Sequence, residues 1–143
     1  MRRKLLPFSL SLIAALLVAN GCQWLSRQNI SGVWRGSIES TERTGHWQGP
    51  AELTLNQNEN TITGTLAFTH PQAGRIQVPI SSGVVDGDSV TLSGQTQLPM
   101  GAIELSFHGK VDGKSLKGTA DMTLRALLLG SETNPASLNL TRQ

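Results

Sequence analysis

The sequence predicts an all-β fold: an eight-stranded antiparallel up-and-down β-barrel, with a β-sandwich as the alternative. Three observations carry this expectation. From Ile30 onward no segment sustains a helical period. Apolar and polar residues alternate instead, the pattern of strands with one face buried and one in water. Turn-forming residues interrupt that alternation about every 8–12 positions, the spacing of a sandwich or barrel.

Composition narrows the class further. At 143 residues the chain has room for one ordinary domain. Hydrophobic residues make up 38% and charged residues 15%, too apolar and too weakly charged for a disordered chain. A single cysteine excludes an internal disulfide framework and a multi-cysteine zinc site. With no Tyr and only 3 Trp and 3 Phe, stacking on nucleic-acid bases would be thin.

The first 21 residues read as a signal peptide. Met1-Arg2-Arg3-Lys4 is a basic start, and Leu5 to Ala19 is a mostly apolar run broken by Pro7. That run is short for a permanent membrane span, which needs roughly 20 residues. Ala19-Asn20-Gly21-Cys22 resembles the lipobox of bacterial lipoproteins, although Ala19 stands where Leu is commoner. The resemblance implies that Cys22 takes a diacylglyceryl thioether and becomes the mature N-terminus. Two or more acyl chains anchor stably where one binds reversibly. Gln23, not Asp, follows the cysteine, which by the bacterial sorting pattern implies an outer-membrane lipoprotein facing the periplasm. Residues 22–29 then form the lipidated N-terminus and a short tether, in which Trp24 and Leu25 either rest at the membrane interface or serve as plain linker. Arg2, Arg3 and Lys4 account for three of the 12 basic residues, leaving nine against 10 acids in the mature chain. The formal charge of +2 therefore belongs to the leader and gives no reason to expect nucleic acid as a partner.

Residues 30–143 form the expected barrel domain. Ile30 to Glu39 is a first strand, with Trp34, Gly36 and Ile38 on one face. Pro50 to Gln57 follows with Leu53 and Leu55 inward, then Thr61 to Thr69 with Ile62, Gly64, Leu66 and Phe68 inward. Ile76, Val78 and Ile80 mark the fourth strand, and Val90 and Leu92 the fifth. Ile103, Leu105, Phe107 and Val111 share a face of the sixth, opposite Glu104, Ser106, His108 and Lys110. Leu116, Gly118, Ala120, Met122 and Leu124 give the seventh, and Ala136 to Arg142 the eighth, with Leu138 and Leu140 inward. A loose repeat runs through Asn58-Glu59-Asn60-Thr61, Val85-Asp86-Gly87-Asp88-Ser89 and Val111-Asp112-Gly113-Lys114-Ser115. Each copy is a turn opening a strand, as in a meander of hairpins. Gly64, Gly109 and Gly118 fall inside strand patterns, where glycine marks a bulge or a sharp bend.

Gly32-Val33-Trp34 resembles the Gly-x-Trp signature of the lipocalins and the wider calycin group. The resemblance implies that a basic residue on the last strand covers this Trp at the closed end of the barrel. Arg142 shares inward parity with Leu138 and Leu140 and suits that role. Two departures matter: the chain can form no internal disulfide, and no Trp follows Trp47, which argues against an avidin-like biotin site.

The faces assigned inward contain no Asp or Glu, so no catalytic residues are expected. Asp86, Asp88 and Asp112 fall in turns, and Glu104 and Asp121 on outward parity. His46, His70 and His108 are scattered and lack the short spacing of a metal motif, so neither a metal nor another cofactor is expected. His46, Trp47 and His70 are read as loop residues rimming a barrel mouth, where they could touch a ligand or partner. Leu127, Leu128 and Leu129 are read either as such contacts or as a short helix or strand extension packed over a barrel end. Two non-enzymatic functions remain: a membrane-anchored carrier of a small apolar ligand, or an envelope interaction or structural protein whose barrel is filled by its own side chains.

Overall fold

The computed structural model describes residues 29–126, 128 and 130–143. Eight strands follow one another: β1 (Gly32–Glu42), β2 (Gly45–Asn58), β3 (Thr61–His70), β4 (Gly74–Asp86), β5 (Ser89–Leu98), β6 (Gly101–Asp112), β7 (Ser115–Ala126) and β8 (Gly130–Arg142). Each pairs antiparallel with the next, and β8 returns to β1 from Trp34↔Arg142 to Ser40↔Ala136. The sheet is a closed, calycin-like up-and-down barrel, not a sandwich. Closure leaves no strand edge along the paired lengths to recruit another chain.

Several strands run further than the apolar alternation indicates. β1 continues past Glu39 to Glu42, β2 starts at Gly45 rather than Pro50, and β8 starts at Gly130 rather than Ala136. The inner positions gained this way carry Ser40, Glu42, Trp47, Glu132 and Asn134. Most are polar, so a hydrophobic period stops short of them.

The three copies of the sequence repeat are the three hairpin turns at one end of the barrel. Glu59-Asn60, Gly87-Asp88 and Gly113-Lys114 each link two strands, and the first residue of each has a positive φ of 59°, 62° and 61° respectively. Primed hairpin turns require that conformation because their twist matches the flanking strands. Gly87 and Gly113 adopt it without strain, whereas Glu59 carries a Cβ into the left-handed region.

One bulge bends the wall. The β4–β5 register shifts between Ile80 and Ser82, and the β3–β4 register shifts beside the same place. Inward parity changes there from Ile76, Val78 and Ile80 to Gly83 and Val85, leaving Val84 on the outside at 51% exposure. Gly64 pairs with Ile80 next to this bulge. Gly109 and Gly118 have a different role from the expected bend. They face each other across β6 and β7, and a Cβ on either would collide with the Phe107 ring lying over them.

Trp34, Ile38, Leu53, Ile62, Leu66, Val78, Leu92, Phe107, Leu116 and Leu140 fill the interior, each at most 3% exposed. Outside, β3 shows Thr61, Thr63 and Thr69, and β7 shows Lys117, Thr119 and Asp121. This apolar-in, polar-out wall is the reverse of a lipid-embedded barrel.

The expected Trp34–Arg142 pair closes the end that holds the three repeat turns. The Arg142 guanidinium carbon lies 4.9 Å from the centre of the Trp34 ring. Its Nη2 donates to the carbonyls of Asn29 and Ser31. The Trp34 indole N–H donates to the Ile30 carbonyl at 3.0 Å. Ile30, 1% exposed, is pinned as its N–H donates to Gln57 Oε1 at 2.8 Å. The segment from Asn29 to Ser31 thus folds across the barrel bottom as a plug.

Candidate functional site

The opposite end is open. It is framed by the turns Arg43-Thr44, Pro71–Ala73 and Pro99-Met100 and by the β7–β8 connection. A cavity of about 380 Å³ lies inside this mouth. That is toward the small end of ligand pockets, which span roughly 300–1,000 Å³. Phe68, Ile76, Leu98, Ile103 and Met122 make its apolar lining, and Leu124 and Met100 reach its edge.

One wall carries a polar and aromatic cluster. Trp47, 8% exposed, stacks on Phe68 with ring centres 6.1 Å apart and meets the His70 ring edge-on at 4.7 Å. Its indole N–H donates to Glu42 Oε1 at 2.9 Å. His70 Nε2 lies 3.3 Å from the same oxygen. His70 Nδ1 accepts the backbone N–H groups of Gln72 at 3.1 Å and Ala73 at 3.2 Å. A ring nitrogen that accepts carries no proton, so the imidazole hydrogen sits on Nε2, the nitrogen on the Glu42 side. The Pro71–Ala73 turn therefore fixes both the tautomer and the angle of the ring. Glu132, Asn134 and Gln72 complete the polar side of the cavity.

Strand parity explains how these groups meet. Glu42 lies on the face of Trp34, Ile38 and Ser40, and His70 on the face of Leu66 and Phe68. Glu132 and Asn134 extend the face of Ala136, Leu138 and Leu140. The seam between β1 and β8 also stops at Ser40↔Ala136, below the mouth. The Pro135 carbonyl accepts the Ser40 hydroxyl at 2.7 Å, so that edge of Pro135 faces β1. Proline has no N–H to offer on the same edge, and the ladder ends there.

The residues singled out in the sequence separate. Trp47 and His70 do line the mouth, but from β2 and the end of β3 rather than from loops. His46 also lies on β2 and faces outward, with its Nε2 3.5 Å from Glu39 and its Nδ1 3.4 Å from the Thr41 hydroxyl. Alternation places it away from the cavity that its neighbour Trp47 lines. Leu128 does not pack over the barrel end: it is 95% exposed on the β7–β8 turn. Leu127, Leu129 and Cys22 lie outside the described residues. The expectation of an acid-free inner face is overturned by Glu42 and Glu132. Both stand on strand extensions where polar residues break the apolar alternation. Continuing the parity of Ile38 through Ser40 would have reached Glu42.

No protein-family model matches the chain, and no curated protein is significantly similar to it.

Proposed function

We propose that the protein is an exported, lipid-anchored binding protein that holds a small, largely apolar ligand in the open mouth of its barrel. The supporting observation is the cavity of about 380 Å³, floored by apolar side chains and rimmed by polar ones. That combination captures an apolar body and orients a polar head. The opposite end is packed and plugged, so the barrel is filled over part of its length and hollow at the mouth.

The reading is binding without catalysis. Among the described residues, the cavity lining includes no Ser, Cys or Lys to act as a nucleophile. His70 Nδ1 accepts two backbone N–H groups and its Nε2 lies 3.3 Å from Glu42, so the imidazole works as a structural strut. The exposed Met100 and Leu128, at 74% and 95%, also favour a partner protein that meets the rim and exchanges ligand there.

The anchor is Cys22, from the lipobox resemblance of Ala19-Asn20-Gly21-Cys22, and Gln23 directs the lipoprotein to the outer membrane. Native mass spectrometry of the leader-free chain from Gln23 to Gln143, after incubation with extract of its own cell envelope, tests the carrier reading. A one-to-one adduct with a small amphiphile is the expected result. A bare chain, unchanged after incubation with envelope extract, contradicts it.

A further inference from the structure

The polar side of the mouth has a definite sign. Its carboxylates belong to Glu42 and Glu132, and its remaining polar side chains are His70, Gln72 and Asn134. Among the described residues, neither Lys nor Arg lines the cavity. Arg142 covers the far end, and Arg125 faces outward, where its Nη2 is 3.2 Å from Glu104.

The ring nitrogens at this wall already face a carboxylate: the Trp47 indole N–H donates to Glu42 Oε1, and His70 Nε2 lies 3.3 Å from the same oxygen. Other acceptors are free. Among the described residues, Glu42 Oε2 and both oxygens of Glu132 have no hydrogen-bond or ion-pair partner. A carboxylate entering head-first would meet like charge and find few free donors. An ammonium would meet two carboxylates beside an apolar lining, where water is partly excluded and opposite charges attract more strongly than in bulk.

We infer that the mouth selects single-chain aliphatic amines over carboxylates of the same chain length. This deepens the carrier reading and rests on it. The Phe68, Ile103 and Met122 lining takes the hydrocarbon, and Glu42 and Glu132 take the ammonium head.

The test is calorimetric titration of the leader-free chain with octylamine, octan-1-ol and octanoate, which share a tail and differ in the charge of the head. Octylamine should bind at least about tenfold more tightly than octanoate, with the alcohol between them. The preference should shrink toward unity in Glu132→Gln, which disturbs neither the Trp47 nor the His70 contact, and further in Glu42→Gln with Glu132→Gln. Glu39→Gln on the outer wall should keep it, which separates cavity recognition from overall charge. If octanoate binds as tightly as octylamine, or the preference survives loss of both carboxylates, the inference is overturned while the carrier reading stands. If none of the three binds, both are overturned.

Discussion

Arg142 touches three parts of the chain at once: the Trp34 ring and the carbonyls of Asn29 and Ser31. Its Nε is buried without a hydrogen-bond partner, so the stacking and the two carbonyl contacts carry its placement. Arg142→Ala removes a cation–π contact and charge-assisted hydrogen bonds together. The expected loss is about 2 kcal/mol, read as a Tm lower by roughly 5–10 °C. Arg142→Lys should recover part of it, because an ammonium keeps the charge but lacks the planar fork. An unchanged Tm in the alanine variant would contradict the pairing. Trp34 and Arg142 were legible in the sequence because a short signature and terminal parity marked them. Glu42 was not, because its importance lies in the residues that meet it from β2 and β3.

At the scale of elements, the eight strands and most of their turns were legible, since apolar periodicity and turn-forming Asn, Asp, Gly and Pro residues report directly on pleat and hairpin. The strand ends at the mouth were not. There the inner face turns polar, and the pattern that betrays a buried strand disappears. The seam between β1 and β8 depends on which edge of Pro135 faces its neighbour, and strand pairing decides that. Glu59 gives an element-scale prediction. Its φ of 59° matches the glycines at the two sister turns, so Glu59→Gly should relieve backbone strain. Greater freedom of the unfolded chain offsets part of that gain, leaving a stabilisation of about 0.5 kcal/mol in denaturant unfolding. A lower midpoint would show that the turn tolerates Glu59 without strain.

For the whole molecule, closure was expected from the economy of a sheet without edges, and the ladder from β1 round to β8 supplies it. The hollow mouth was not legible, because inward residues alone do not say how completely they fill a barrel. The ends now have distinct roles. Asn29 lies at the plugged end, and seven residue steps back to Cys22 span at most roughly 25 Å. Strands of 10–14 residues, tilted as in a barrel, make a body roughly 30 Å tall. If the proposed anchor at Cys22 holds, the plugged end would face the bilayer and the mouth would point away from it. Cys22→Ser should abolish labelling by radioactive palmitate and remove the protein from the mature, membrane-bound lipoprotein fraction. Continued labelling of that variant would contradict the anchor.

The central claim is that the mouth is a ligand site, and a filled mouth should fail. Met122 lines the cavity from β7, and Met122→Trp places an indole in the space a ligand would take. The uncharged fluorophore N-phenyl-1-naphthylamine should brighten saturably, at one site per chain, with the leader-free protein. The folded Met122→Trp variant should bind the probe at least about tenfold more weakly. Equal saturable binding by both proteins, or none by either, would contradict the claim.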